Sequence, residues 1–192
     1  MADETEAGQV RKEQLDPERE ARRRLALAQI RQYPDPVLKM RAREIEGHDD
    51  DLRRLVERMT RLMQEANGVG LAATQVGILR RVFVFQPADH DPAAIVNPQI
   101  VNRSDELETD DEGCLSLQGV QVPVERSVAV TIEGTDETGA PVAYAFEELP
   151  ARVVQHELDH LDGVLIIDRT TPEARREALG ILRPTPMLGA IG

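Results

Sequence analysis

The chain of 192 residues contains little cysteine, few aromatic residues and a deficit of positive charge. Its single cysteine, Cys114, excludes an internal disulfide and is typical of a protein from a reducing compartment. Aromatic residues make up 3% of the chain and tryptophan is absent, so stacking platforms for single-stranded nucleic acid are not available. The 23 Lys and Arg against 35 Asp and Glu give a formal net charge of −12, which disfavours direct nucleic-acid binding.

Long hydrophobic runs are also missing. No apolar run approaches the roughly 20 residues that span a bilayer, so we expect no membrane partner. The first residues, MADETEAGQVRKEQ, mix acids and bases without an apolar stretch, and we expect neither a secretory signal nor an organelle transit peptide. These features predict a cytoplasmic protein.

The length and composition predict one folded domain with charged ends. Apolar residues make up 41% and charged residues 30% of the chain, a balance typical of soluble globular domains. Residues 1–28 form a charged N-terminal extension that we expect to be a flexible, solvated arm or a loose helix. The domain is predicted over residues 29–183, and residues 184–192 are predicted to be a C-terminal tail.

Hydrophobic spacing predicts two helices with strands between them. Asp49 to Asp51 cap a helix whose apolar residues recur at helical spacing as far as Ala66, and Asn67-Gly68 ends it before a glycine-rich loop. A second helix is predicted from near Pro150 to Gly163. The order predicts an α+β fold. Short β-branched runs predict strands at 82–85, 95–96, 100–101, 120–124, 128–132 and 142–146, the last two forming a hairpin.

The second predicted helix contains the sequence His156-Glu157-Leu158-Asp159-His160. Residues four apart share one face of a helix, so both imidazoles can bind a single divalent ion. Glu157 lies one position further round and can reach a water molecule at that ion. The pattern is an HExxH metal motif.

Two histidines do not complete a catalytic metal site, which uses three protein ligands. In metzincin peptidases a further histidine follows at a fixed spacing, but this chain has Ile166 there. A gluzincin peptidase would use a downstream glutamate, for which Glu173 and Glu177 are candidates. Cys114 is the other strong candidate, because a thiolate binds zinc or iron(II) well.

Three blocks of sequence resemble the three signature motifs of the peptide deformylase family, in the family's order. They are GVGLAATQVG at 68–77, EGCLS at 112–116 and QHELDHLDGVL at 155–165. The similarity extends from about Ile30 to near residue 180. It implies mainly antiparallel β-sheets packed around a central helix that carries HELDH, with a preceding amphipathic helix and a C-terminal helix.

The resemblance implies one divalent metal ion, bound by Cys114, His156 and His160 with water in the fourth position. The family is usually described as using iron(II) in cells, and zinc, nickel or cobalt can substitute. The implied reaction is the hydrolytic removal of the N-formyl group from the initiator methionine of a newly synthesised protein. Its products are formate and a free amine.

The resemblance also implies the roles of the neighbouring residues. Glu157 would act as general base and then as general acid. The side-chain amide of Gln75 and the backbone N–H of Leu115 would stabilise the oxyanion. The formylated nascent peptide would bind as an added strand. Substrate contacts are expected at Val69, Gly70, Glu112, Gly113, Leu149 and Val153, the last two in the methionine pocket.

Two positions depart from the family's usual pattern. Gln118 replaces a common proline, and Arg152 stands where an apolar residue is common, four residues before His156. Both bear on the methionine pocket, and a gain of activity in Arg152→Ile would show that Arg152 hinders it.

Some members of the family dock on the ribosome through a C-terminal helix. Residues 172–183 are predicted to form such a helix, with Arg175, Arg176 and Arg183 facing outward. A helix that only caps the domain is the alternative. The rival functions for the whole chain are an HExxH endopeptidase that uses Glu173 or Glu177, and a catalytically silent homologue that acts as a binding module.

Overall fold

The computed structural model describes residues 16–86 and 91–183. Its helices lie near both ends of the described chain, and its strands lie between them. In chain order they are α1 (Pro17–Leu27), α2 (Asp50–Glu65), β1 (Gly70–Ala72), β2 (Val82–Phe85), β3 (Ala93–Arg103), β4 (Leu107–Gly113), β5 (Gln121–Ser127), β6 (Ala129–Thr135), β7 (Pro141–Glu147), α3 (Glu148–Leu161), α4 (Ile166–Arg169) and α5 (Pro172–Leu182).

The strands form two antiparallel sheets, which confirms the predicted α+β fold. One sheet has five strands in the order β1-β2-β3-β6-β7, and the other consists of β4 and β5. The predicted hairpin is the β6–β7 pair, in register from Ala129 with Glu147 to Thr135 with Pro141. Strands β1 and β4 each have one neighbour, so each leaves one edge free.

Helix α2 follows the predicted pattern. The Asp49 carboxylate accepts a hydrogen bond from the backbone N–H of Leu52 and caps the first turn. Its apolar face is buried, including both methionines, Met59 and Met63, so these residues fill the core. Asn67 adopts a positive φ of 57° just after the helix and turns the chain towards β1.

Helix α3 is the central helix, and it begins at Glu148, two residues before Pro150, near which its start is predicted. Its buried residues Ala151, Val154 and Leu161 pack in one cluster with aromatic and aliphatic residues of β2 and β6. The last turn ends at Leu161, and Gly163 follows with a positive φ of 73°. This packing fixes the rotation of α3 and so the direction of its polar side chains.

Part of the predicted N-terminal extension is an ordered helix packed on the domain. Residues 1–15 lie outside the described residues, but α1 is capped by Asp16 and buries Ala26 and Leu27. Both side chains join the cluster that includes Leu62 and Met63 of α2. From Pro17 onward the extension is therefore a helix, which is one of the two forms expected for residues 1–28, and one of its faces is buried instead of solvated.

Two strands were not predicted. Strand β1 lies in the glycine-rich block, for which the sequence predicts a loop. Strand β4 has the sequence LETDDEG, whose acids do not indicate a strand. It forms because it pairs with β5 along its full length, from Leu107 with Ser127 to Gly113 with Gln121.

None of the helices in the described ranges is long and apolar enough to cross a membrane.

Candidate metal centre and active site

Three side chains of types that can bind a metal converge from two segments of the chain. Cys114 directly follows β4, while His156 and His160 lie one turn apart on α3. One donor atom from each lies within 4.8 Å of the other two, and Cys114 Sγ is 3.2 Å from His160 Nε2. Among the described residues, these three side chains form a group that could hold one metal ion, and the group includes both histidines of the HExxH motif. Glu173 and Glu177 are exposed on α5 and do not belong to it.

Two of the donors, Cys114 and His156, line a cavity of about 740 Å³, and His160 is buried next to them. All the residues predicted to contact substrate line this cavity, as do the predicted catalytic residues. They are Val69, Gly70, Glu112, Gly113, Leu149 and Val153, together with Gln75, Leu115 and Glu157. Leu149 and Val69 are more than half exposed and form apolar parts of the rim.

Glu157 is buried beside the three donors. Burial raises its pKa to about 7, against a lowering effect of His156. Its Oε2 atom has no hydrogen-bond partner among the described residues. A buried carboxylate oxygen without a partner is costly, and it indicates that a polar group absent from the protein chain completes the site.

The Gln75 side chain is held at both ends. Its Oε1 atom accepts a hydrogen bond of 2.9 Å from the backbone N–H of Ala72. Its Nε2 atom donates to Ser116 Oγ at 3.1 Å and lies 3.7 Å from Cys114 Sγ. The amide N–H groups therefore point towards the metal-binding cluster, because the carbonyl end is occupied by the backbone.

Glu112 lies in the cavity wall, but its carboxylate is directed into the protein. It accepts two hydrogen bonds from Arg126, one from Arg152 and contacts His156 Nδ1 at 3.0 Å. Burial alone would raise the pKa of Glu112, but hydrogen bonds with His156 and Arg126 hold it well below its ordinary value. The contact between Nδ1 and the carboxylate fixes the orientation of the His156 ring. The other ring nitrogen, Nε2, remains available as a metal ligand.

A second buried carboxylate extends this network. Arg126 also donates to Asp159, the residue before His160, and Arg169 donates to the same carboxylate through two nitrogen atoms. The roles of Arg126 and Asp159 were missed from the sequence, because a pattern of local spacing cannot pair charges 33 residues apart. Their burial, at 8% exposure or less, is the signal that the structure adds.

Arg152 does not place a free charge in the methionine pocket. Its guanidinium donates to Glu112 and to the backbone carbonyls of Val124 and Glu108, which lie on β5 and β4. The residue is 8% exposed and lines the cavity. The sequence left open whether Arg152 hinders this pocket, and these contacts make it a link between the two-stranded sheet and α3. Gln118 is exposed at the cavity rim.

Comparison with known proteins gives the family. Residues 27–176 match the family model described as polypeptide deformylase. The chain belongs to the polypeptide deformylase family. The peptide deformylase of Desulforudis audaxviator is 42% identical over 153 residues, which cover 80% of this chain and 99% of that protein. The peptide deformylase of Thermotoga neapolitana is 46% identical over 146 residues, or 76% and 88% of the two chains. The chain is therefore an enzyme.

Solved structures of peptide deformylases share the fold. The enzyme from Legionella pneumophila superimposes with a TM-score of 0.76 at 36% identity, covering 80% of this chain and 91% of that one. The enzyme from Thermotoga maritima gives a TM-score of 0.72 at 44% identity, with 74% and 97% covered. At these identities the deformylase fold and the family are shared.

Gly70 should not tolerate a side chain. A Cβ atom at this position would lie 2.8 Å from both Cγ and Cδ of Glu157, so the buried carboxylate would have to move. We expect Gly70→Ala to lower kcat/KM for the deformylase reaction at least tenfold while the protein stays folded, since small displacements of catalytic groups are costly. The measurement is steady-state kinetics beside circular dichroism. Gly47→Ala, where a Cβ meets nothing within 4 Å, is the control.

Arg152→Ile should weaken the protein rather than improve it. The change leaves two backbone carbonyls without their donor and removes a cation from the buried Glu112 carboxylate, so we expect a loss of about 3 kcal/mol in the free energy of unfolding. Urea denaturation measures this loss, and Arg152→Lys, which keeps the charge, should lose less. Unchanged stability with raised deformylase activity would instead show that Arg152 hinders the pocket.

Proposed function

We propose that this enzyme removes the N-formyl group from the N-terminal formyl-methionine of newly synthesised proteins and releases formate. The observation that carries the proposal is the convergence of Cys114, His156 and His160 at the wall of the cavity that Glu157 also lines. The chain matches the deformylase family over 150 residues, from 27 to 176.

The donor set suits one divalent metal ion. A thiolate and two imidazoles are ligands for zinc, iron(II), nickel and cobalt, and the unpaired Glu157 oxygen indicates a missing polar neighbour. We propose iron(II) as the metal in the cell, with zinc, nickel or cobalt as substitutes. When bound, such an ion polarises the formyl oxygen and lowers the pKa of water towards about 7.

Glu157 is proposed to move the proton. As a base it accepts a proton from the attacking water, and as an acid it later returns the proton to the nitrogen of the leaving amine. Its pKa, raised to about 7 by burial, suits both steps because neither protonation state is strongly favoured near neutral pH. No other buried carboxylate of the described cavity lining is free, since Glu112 is bound by two arginines.

Gln75 and Leu115 are proposed to stabilise the oxyanion that forms at the formyl carbon. Gln75 can do so because its carbonyl end is fixed on Ala72 and its Nε2 points towards Cys114. The backbone N–H of Leu115 follows the cysteine directly and lies in the cavity wall. Preorganised donors of this kind contribute about 3 kcal/mol each to transition-state stabilisation.

The peptide is proposed to bind between the two sheets. Gly70 of β1 and Gly113 of β4 line the same cavity, and each strand has a free edge. An extended substrate can use the backbone groups of both, which requires no particular side chain after methionine. The methionine side chain would contact Leu149 and Val153 of α3, which line the cavity together with Arg152.

The rival endopeptidase reading gains no support from the geometry. It needs Glu173 or Glu177 as the third ligand, and both are exposed on α5. Cys114 occupies that place in the cluster instead.

Formate release through Glu157 tests the proposed function. We expect the anaerobically purified protein to release formate from formyl-Met-Ala-Ser, and Glu157→Ala to lower kcat by about 10²–10⁴-fold because the proton acceptor is lost. The measurement couples formate to a dehydrogenase assay. Glu173→Ala and Glu177→Ala should retain full activity. No release by a metal-loaded parent would overturn the proposal.

Metal content separates the deformylase from the endopeptidase. We expect Cys114→Ala to lose most of its bound metal, because two imidazoles remain from a set of three ligands. The measurement is the metal-to-protein ratio by mass spectrometry after gel filtration, with the Glu173→Ala/Glu177→Ala double variant as control. A Cys114→Ala protein that keeps its metal while the double variant loses it would favour the endopeptidase.

We further propose that the enzyme is cytoplasmic and that α5 touches the ribosome, where formylated chains emerge. On α5, Ala178 is buried against the β5 side of the domain and Arg175 donates to Asp168. Arg176 of α5 and Arg183, the residue after the helix, are exposed. We expect an Arg176→Glu/Arg183→Glu variant to lose ribosome co-sedimentation and keep peptide activity. Unchanged co-sedimentation with the ribosome would contradict the docking proposal and indicate that α5 only caps the domain.

A further inference from the structure

Helix α1 forms a wall of the reaction cavity although it precedes the family match. The match begins at residue 27, which is the last residue of α1. Arg23 and Leu27 nevertheless line the same cavity as Cys114, His156 and Glu157. Arg23 and the rest of α1 before Leu27 therefore lie outside the residues that the family model matches, yet Arg23 lines the cleft.

The position of α1 over the cleft is fixed by polar and apolar contacts. Arg19 donates to the side chain of Asn67 at 3.2 Å, and Arg23 Nε donates to the carbonyl of Ala66 at 3.4 Å. Ala26 and Leu27, which follow Arg23 by one turn on the same face of the helix, are buried in the core. The helix thus lies against the end of α2, where the loop that leads to β1 begins.

That loop connects α1 with the reaction centre. It runs from Asn67, beside Arg19, to Gly70, beside Glu157. Three residues of chain span at most about 10 Å, and an extended peptide covers the same distance with three residues. A substrate whose formyl group lies at Glu157 and whose chain follows this loop therefore brings its second and third residues towards α1.

Arg23 is the charged residue that α1 contributes to the cavity lining. Glu112 and Arg152 bind each other, and His156 and Glu157 belong to the reaction centre. The remaining charged residues of the described lining are Arg23 on α1 and Asp111 on β4.

The Arg23 guanidinium retains donors for a ligand. Within the described residues its hydrogen bonding is confined to Nε, and its NH1 lies 3.9 Å from the Glu20 carboxylate, at the limit of an ion pair. Its side chain is 39% exposed, so an incoming carboxylate can reach it.

We propose that α1 forms a subsite for acidic side chains and that Arg23 is its specificity-determining residue. The proposal rests on the proposed function, because it assigns the subsite to the second or third residue of a formyl-methionyl peptide. The guanidinium binds the carboxylate of that residue and lowers KM, while the chemical step at Glu157 is unchanged. Exposed ion pairs are weak and screened by salt, so the preference is modest and falls as ionic strength rises.

The experiment compares kcat/KM for four formylated peptides that differ in charge. They are formyl-Met-Glu-Ser, formyl-Met-Lys-Ser, formyl-Met-Ala-Glu and formyl-Met-Ala-Lys, with formyl-Met-Ala-Ser as the neutral reference. We expect a glutamate-over-lysine preference of about three- to fivefold at one of the two positions in the parent enzyme at low salt, expressed in KM. Arg23→Gln should abolish this preference, and Arg23→Lys should retain it.

Matched controls separate a specific subsite from a general effect. Arg22→Gln and Arg24→Gln remove the same charge from exposed positions of α1 that do not line the cavity, and they should keep the preference. Asp111→Asn should not reduce it. A glutamate-over-lysine ratio that is the same in the parent and in Arg23→Gln would overturn the subsite. So would an equal loss on all peptides, which would indicate that Arg23 only holds α1 in place.

Failure of the proposed function gives a different result. In that case the parent enzyme would release no formate from the neutral reference peptide either, and the subsite would fall with it. Activity on the neutral peptide without a charge preference would overturn the subsite alone.

Discussion

The site depends on the buried hydrogen bonds and ion pairs of the Glu112 carboxylate. This carboxylate is buried, accepts hydrogen bonds from Arg126 and Arg152, and contacts Nδ1 of His156. Through these contacts one charge joins β4, β5 and α3, which are the elements that position Cys114 and both histidines. A buried carboxylate without cations would be strongly unfavourable, so the two arginines and the imidazole have to be placed together with it. The acidic strand β4 is thereby fixed against the central helix.

Helix α3 and the placement of its two histidines on one face could be predicted because their signals are local. The His156–His160 spacing follows from 3.6 residues per turn, and the amphipathic pattern of α2 follows from the same geometry. Local patterns did not decide the third ligand, for which Cys114, Glu173 and Glu177 all remained open. The resemblance to a family favoured Cys114. The fold places it beside the histidines although it lies 42 residues before His156 in the sequence.

The remaining features depend on long-range contacts that no local pattern contains. The acids of β4 disfavour a strand, yet β4 forms because β5 supplies a partner along its length. Arg152 was read as a departure from an apolar pocket, and its neutralisation by Glu112 requires β4 and α3 to be packed together. The charged residues of α1 resemble a solvated arm, and only the burial of Ala26 and Leu27 shows which face rests on the domain. In each case the tertiary partner overrides the intrinsic preference of the segment.

We propose that one metal ion is held jointly by Cys114, His156 and His160 next to Glu157. A crystal structure of the anaerobically purified, iron- or nickel-loaded protein, with the metal located from its anomalous scattering, tests this arrangement. We expect a single strong peak at about 2.0–2.3 Å from Cys114 Sγ and one nitrogen of each histidine. A peak bound to the histidines and to Glu173 or Glu177, with Cys114 outside bonding distance, would contradict it.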